Sequence, residues 1–125
     1  MEWMFPISPV AASRPRISKH GAYFAGPYKR WREEMIEIVP LILGDSFIPL
    51  VTPLQVDLEL YITHPKRTKL LSPRADIDNY IKAVFDSLNG KLWEDDTQIQ
   101  KVYAVKQWTS PKTKGYFIIG VNEII

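Results

Sequence analysis

The chain has no cysteine among its 125 residues. That excludes a disulfide framework, a thiolate nucleophile and any zinc site built on cysteine. Histidine is nearly as scarce: only His20 and His64 are present, too few for a histidine-rich metal site or a histidine-heavy nucleophilic triad. No apolar run approaches the roughly 18 residues of a membrane span. The opening Met1-Glu2-Trp3 carries neither a basic nor an apolar stretch, so no signal peptide is visible and the cytoplasm is the expected location. Internal repeats, low-complexity tracts and a glycine-rich phosphate loop are also missing. What remains is ordinary for one globular domain over residues 1–125. With 46% hydrophobic and 24% charged residues, the chain can bury a single core and is not expected to be disordered.

The formal charge is only +2, but the charges are segregated. From Arg14 to Arg32 there are six basic residues and no acid: Arg14, Arg16, Lys19, Lys29, Arg30 and Arg32. A second basic stretch, again without acids, holds Lys66, Arg67, Lys69 and Arg74. Asp76 to Asp96 then carries six acids against two lysines. Solvated surface explains most charge runs. The sharper alternative is a pair of phosphate-gripping segments around a carboxylate metal site.

Hydrophobic spacing predicts an α+β (mixed α/β) domain of about four strands packed with two main helices. Met4–Ile7 is apolar enough for a short first strand. Ala11–Gly26 reads as a loop with a short hairpin around Gly21. Tyr28–Leu43 has helical spacing, with Pro40 expected to end or bend it. Leu54–Thr63 alternates apolar and polar residues strictly, as a strand with one buried face does. Ile99–Trp108 and Gly115–Val121 read as two more strands, whose connection from Thr109 to Lys114 either closes a hairpin or adds basic contacts.

The most informative segment is Asp76–Asn89, a helix ended by Gly90. At about 100° per residue, Ile77, Tyr80, Ile81, Val84, Phe85 and Leu88 share one side, which is core. Asp78, Asn79, Lys82, Asp86 and Asn89 share a polar sector about 100° wide. Asp78, Lys82 and Asp86 step by i,i+4, and Asp76 suits the N-cap, where its side chain can accept a backbone N–H. Caps and ion pairs account for these residues structurally. The run Glu94-Asp95-Asp96 changes the balance, because three consecutive acids repel one another unless solvated or neutralised by a cation. Carboxylates that converge suit Mg²⁺, and Mg²⁺ beside a lysine is the usual equipment of phosphoryl-transfer chemistry.

The pattern Arg74-x-Asp76-x-Asp78-Asn79-x-x-Lys82-x-x-x-Asp86-x-Leu88, followed by Trp93-x-Asp95-Asp96-x-Gln98-Ile99, resembles the RusA-type Holliday-junction resolvases. Pro9-x-x-x-Ser13-Arg14-Pro15-Arg16 and Tyr28-Lys29-Arg30-Trp31 fit the same family, so the likeness spans Pro9 to about Lys106. The resemblance implies a homodimeric, Mg²⁺-dependent endodeoxyribonuclease, with Mn²⁺ a possible substitute, that makes paired nicks in four-way DNA junctions in the cytoplasm of a bacterium or phage host. It implies that Asp76, Asp78 and Asp96 are catalytic metal ligands, that Lys82 is the essential lysine, and that Asp95 is a neighbouring acid able to share the metal. Arg14, Arg16, Lys19, Lys66, Arg67, Lys69 and Arg74 are then the expected DNA contacts. Glu94 is an extra carboxylate in that pattern, and Leu70-Leu71 interrupts the second basic stretch, as a wedge against bases or as part of a dimer seam. Trp31 and Trp93 are core residues or base-stacking platforms. Two rivals stand beside this reading: a non-catalytic branched-DNA-binding module, and a metal enzyme acting on a smaller phosphate ester such as a nucleotide.

Overall fold

In the computed structural model, which describes residues 1–125, the chain forms β1 (Glu2–Phe5), β2 (Arg16–Ser18), β3 (Gly21–Tyr23), α1 (Gly26–Leu43), β4 (Leu54–Ile62), α2 (Ile77–Leu88), β5 (Ile99–Trp108) and β6 (Tyr116–Glu123), with a 3₁₀ turn at Asp96–Gln98 before β5. Four strands make one mixed sheet in the order β1-β6-β4-β5, and β2 and β3 make a separate hairpin. The fold is α+β. No helix is long and apolar enough to cross a membrane.

The strict alternation of β4 sends Leu54, Val56, Leu58 and Leu60 into the core and leaves Glu59 exposed. Phe117, Ile119 and Val121 of β6 bury the same way. Against that face pack Tyr28, Trp31, Met35 and Val39 of α1 and Tyr80, Ala83, Val84 and Leu88 of α2. The apolar stripe read on Asp76–Asn89 is therefore core.

The sequence-based boundaries shift in three places, each for a local reason. The first strand lies two residues earlier than Met4–Ile7, ending at Phe5, because Pro6 has no N–H to give to a ladder. Pro40 neither ends nor replaces the last turn of α1, which runs to Leu43 and closes with Gly44 N–H donating to Pro40 O at 3.0 Å. A proline there removes the hydrogen bond to the carbonyl four residues back and crowds it, and Ile36, which carries that carbonyl, is 72% exposed. Thr109–Lys114 does not close a hairpin of neighbours. β4 lies between β5 and β6, parallel to β5 and antiparallel to β6, so this connection passes the end of β4. The α2 crossover between β4 and β5 is what makes that pair parallel.

Candidate active site

α2 carries the polar row forward from the sheet. Asp76, Asp78 and Lys82 are exposed along it. Asp76 occupies the N-cap, but its carboxylate accepts no capping hydrogen bond. Asn79 N–H instead donates to the main-chain oxygen of Asp76 at 3.1 Å. The expected capping role is thus filled by backbone, which leaves both side-chain oxygens of Asp76 for other partners. Lys82 Nζ lies 3.4 Å from Asp86 Oδ2, the one i,i+4 ion pair of the row that forms.

The acids beyond α2 are held by a tight turn. Gly90 takes the left-handed φ of 79° that suits the position after the helix, and its N–H donates to Trp93 O at 2.8 Å. Leu50 bridges this turn on both sides, with its N–H on Leu92 O and its oxygen receiving Glu94 N–H. Trp93 is fully buried, and its indole Nε1–H donates to Asp96 Oδ1 at 2.6 Å. Asn89 Oδ1 accepts Asp96 N–H at 2.9 Å. Asp95 Oδ1 accepts Thr97 N–H while Gln98 Oε1 accepts Asp95 N–H, a capping box on the 3₁₀ turn.

These bonds bring Asp96 back beside the helix. Burial raises the Asp96 carboxyl above its ordinary range, the Trp93 hydrogen bond opposes this, the negative charges of Asp86 and Asp95 raise it further, and Lys82 lowers it. Asp96, Asp95, Asp86 and Lys82 therefore form one electrostatic unit. Asp76 and Asp78 sit at the other end of α2: eight residues separate Asp78 from Asp86, about 12 Å along the axis. The carboxylates are strung along one helical face with Lys82 between them, and no three of them stand within reach of one cation.

That arrangement still fits Mg²⁺. All the donors are hard oxygens, and Mg²⁺ is commonly held by one or two carboxylates with the remaining positions taken by water and substrate phosphate. The raised Asp96 carboxyl beside two other acids marks a place where a divalent cation relieves repulsion.

The basic residues fall in two places. Arg14, Arg16 and Lys19 are exposed on the loop and hairpin before α1. Ala12 N–H donates to Asn79 O at 2.9 Å, docking this loop on α2. A cleft of about 450 Å³ results, lined in part by Arg14, Tyr28, Asn79, Lys82 and Asp86. Lys66, Arg67, Lys69 and Arg74 are exposed on the loop that leads into α2. Leu71 in the same loop is 99% exposed and Leu70 is 42% exposed. Trp31 and Trp93 are 3% and 0% exposed, so neither offers a face to a base. Three residues absent from the expected site set join it here: Asp86 through its pairing with Lys82, and Asn89 and Trp93 through Asp96. Asp86 was visible as the third member of the i,i+4 row. Trp93 was visible as the first residue of the Trp93-x-Asp95-Asp96 pattern, but its hydrogen bond to Asp96 depends on the turn.

Comparison with known proteins places the chain among the endodeoxyribonucleases. The family described as Endodeoxyribonuclease RusA matches residues 6–114, and the chain belongs to it. The chain is also similar to YqaN, an uncharacterized protein of Bacillus subtilis (strain 168), at 29% identity over 73% of this chain and 75% of that protein.

Proposed function

We propose that the protein is a structure-selective endodeoxyribonuclease that resolves four-way DNA junctions by Mg²⁺-dependent paired phosphodiester hydrolysis in recombination and repair. The observation that carries this reading is the cleft in which Arg14, from a stretch free of acids, faces Asn79, Lys82 and Asp86 of the carboxylate helix. Phosphate binding and acid chemistry then share one opening, and membership of an endodeoxyribonuclease family makes the phosphate that of DNA.

Asp76, Asp78 and Asp96 would hold the metal, with Asp95 beside them; the side chains as they stand do not close on one cation, so water and DNA phosphate would complete its coordination. Bound Mg²⁺, or Mn²⁺ in its place, supplies a nucleophile at neutral pH and offsets charge on the scissile phosphate. Lys82 presents an exposed ammonium on the same face, kept in place by Asp86, where it stabilises negative charge on the phosphate or leaving oxygen. Trp93 and Asn89 hold Asp96 by its side chain and its backbone. Arg14, Arg16 and Lys19 grip one stretch of backbone, and Lys66, Arg67, Lys69 and Arg74 another. A homodimer suits a substrate that must be cut on two strands, since two-fold symmetry presents two identical sites.

The direct test is purified protein on an end-labelled four-way junction and a matching linear duplex, with Mg²⁺ and with EDTA. Symmetric nicks in the junction alone, and with Mg²⁺ alone, are expected. One feature favours the binding-module reading: Asp95 and Asp96 each spend an oxygen on a structural hydrogen bond. Tight junction binding with no nick under any divalent metal would select it.

Replacing Arg14 and Arg16 together with Ala is expected to weaken junction binding and to reduce the slope of log affinity against log salt by about 2, one per lost phosphate contact. A slope equal to wild type would remove both residues from the DNA interface.

A further inference from the structure

We propose that Lys106 is a positioning residue for Asp76, acting through the backbone that leads into α2. The proposal rests on the reading of Asp76 as a metal ligand. Lys106 lies opposite Leu60 across the parallel β4–β5 pair, and Leu60 is fully buried. Register therefore puts the lysine on the core-facing side of the sheet, where an apolar residue is expected and a charge is costly to desolvate. No carboxylate compensates it, for the ion pairs of the molecule are Lys29–Glu33 and Lys82–Asp86. Its ammonium instead donates to Pro73 O at 2.8 Å and to Ala75 O at 2.6 Å.

Those two carbonyls bracket Arg74 immediately before the N-cap. Ala75 O belongs to the peptide that enters Asp76. The peptide that leaves it is held in turn by Asn79 N–H on Asp76 O. Both peptide planes about the Asp76 Cα are thus tied, while its carboxylate makes no capping bond. The backbone is fixed and the side chain is left free, which is the arrangement a ligand to a cation needs. Two residues further along β5, Trp108 Nε1–H donates to Leu70 O at 3.1 Å. One edge strand therefore holds the loop between the basic stretch and α2 at two points, and Lys106 holds the point next to the acid.

The alternative is that Lys106 merely ties a loop to the sheet, and the two roles separate by measurement. K106M, K106Q and D76N are compared with wild type in single-turnover junction cleavage across an Mg²⁺ titration, in calorimetric titration with Mn²⁺ in the absence of DNA, and in thermal melting. For K106M the half-saturating Mg²⁺ and the Mn²⁺ Kd are expected to rise together by about tenfold or more, as for other groups that orient metal ligands. Saturating Mg²⁺ should restore most of the rate, and junction binding in EDTA should be unchanged. A folded K106M with wild-type metal dependence, whatever its melting temperature, overturns the proposal. Should K106M fail to fold, K106Q, which keeps a neutral donor on a shorter side chain, decides the same comparison by the same criterion. Wild-type metal binding and cleavage in D76N would instead sink the reading of Asp76 itself. Loss of both in D76N, with unaltered metal dependence in the Lys106 variants, would sink the positioning role alone.

Discussion

Asp78→Asn is expected to lower junction cleavage by about 10³-fold while leaving junction binding in EDTA at or above the wild-type level. Asp78 is exposed in the first turn of α2, so the substitution removes a charge without opening a cavity. A metal at a phosphate stabilises the transition state by several kcal/mol, and each 1.36 kcal/mol is about tenfold in rate. Asn keeps one oxygen but loses the charge that neutralises the cation. Binding moves in the other direction, because a carboxylate near the phosphate backbone repels it. The measurement is single-turnover cleavage with protein in excess, beside gel-shift titration of the same junction. Parallel loss of cleavage and binding would assign Asp78 to the fold or to electrostatics alone.

Asp96→Asn is expected to lower cleavage by about 10²-fold or more and, without divalent metal, to stabilise the protein. The sign follows from burial. The folded carboxyl titrates above the ordinary value of 3.8, chiefly through burial and then through Asp86 and Asp95. Between those two values the folded state binds more protons than the unfolded one, so stability falls as pH rises through that window. Above it, the charged Asp96 is a standing cost to the fold. Asn abolishes the charge and can still accept the Trp93 Nε1–H bond through its side-chain oxygen. Because the group is only half-buried, the gain is expected to be small, about 0.5 kcal/mol or roughly 2 °C in Tm at neutral pH. Melting in EDTA across pH is the check: wild type should gain stability relative to Asp96→Asn as acidification carries the pH down through that window. A Tm at neutral pH well below wild type would mean that the carboxylate, rather than its repulsion, supports the turn. Opposed effects on activity and stability are what a site assembled for function at the expense of the fold produces.

The chemistry of α2 was legible because it is local. A helix turns by a fixed angle, so Asp78, Lys82 and Asp86 share a face in any fold that makes them helical, and the apolar stripe opposite them must find a core. The alternation in Leu54–Ile62 was equally plain, since a strand with one buried face writes its period directly into the residues. Trp93 was harder. Apolar bulk left it as core or as a base-stacking platform, and its burial and its hold on Asp96 need the Gly90 turn and the clamp at Leu50 to face the indole N–H towards the carboxylate.

By itself, the sequence determined the element types, the segregation of basic from acidic surface and the residue types of the candidate site. All three are set by neighbours within a few positions of one another. Only the tertiary structure decided that β6 inserts between β1 and β4, because strand propensity selects a strand but not its partner. The same long-range packing brought Asp96 back beside Asp86 and Lys82 of α2, and set Lys106 beneath the backbone of Pro73 and Ala75. Contacts between residues 31 or more positions apart depend on how sheet and helix dock, and docking is settled by the whole core at once.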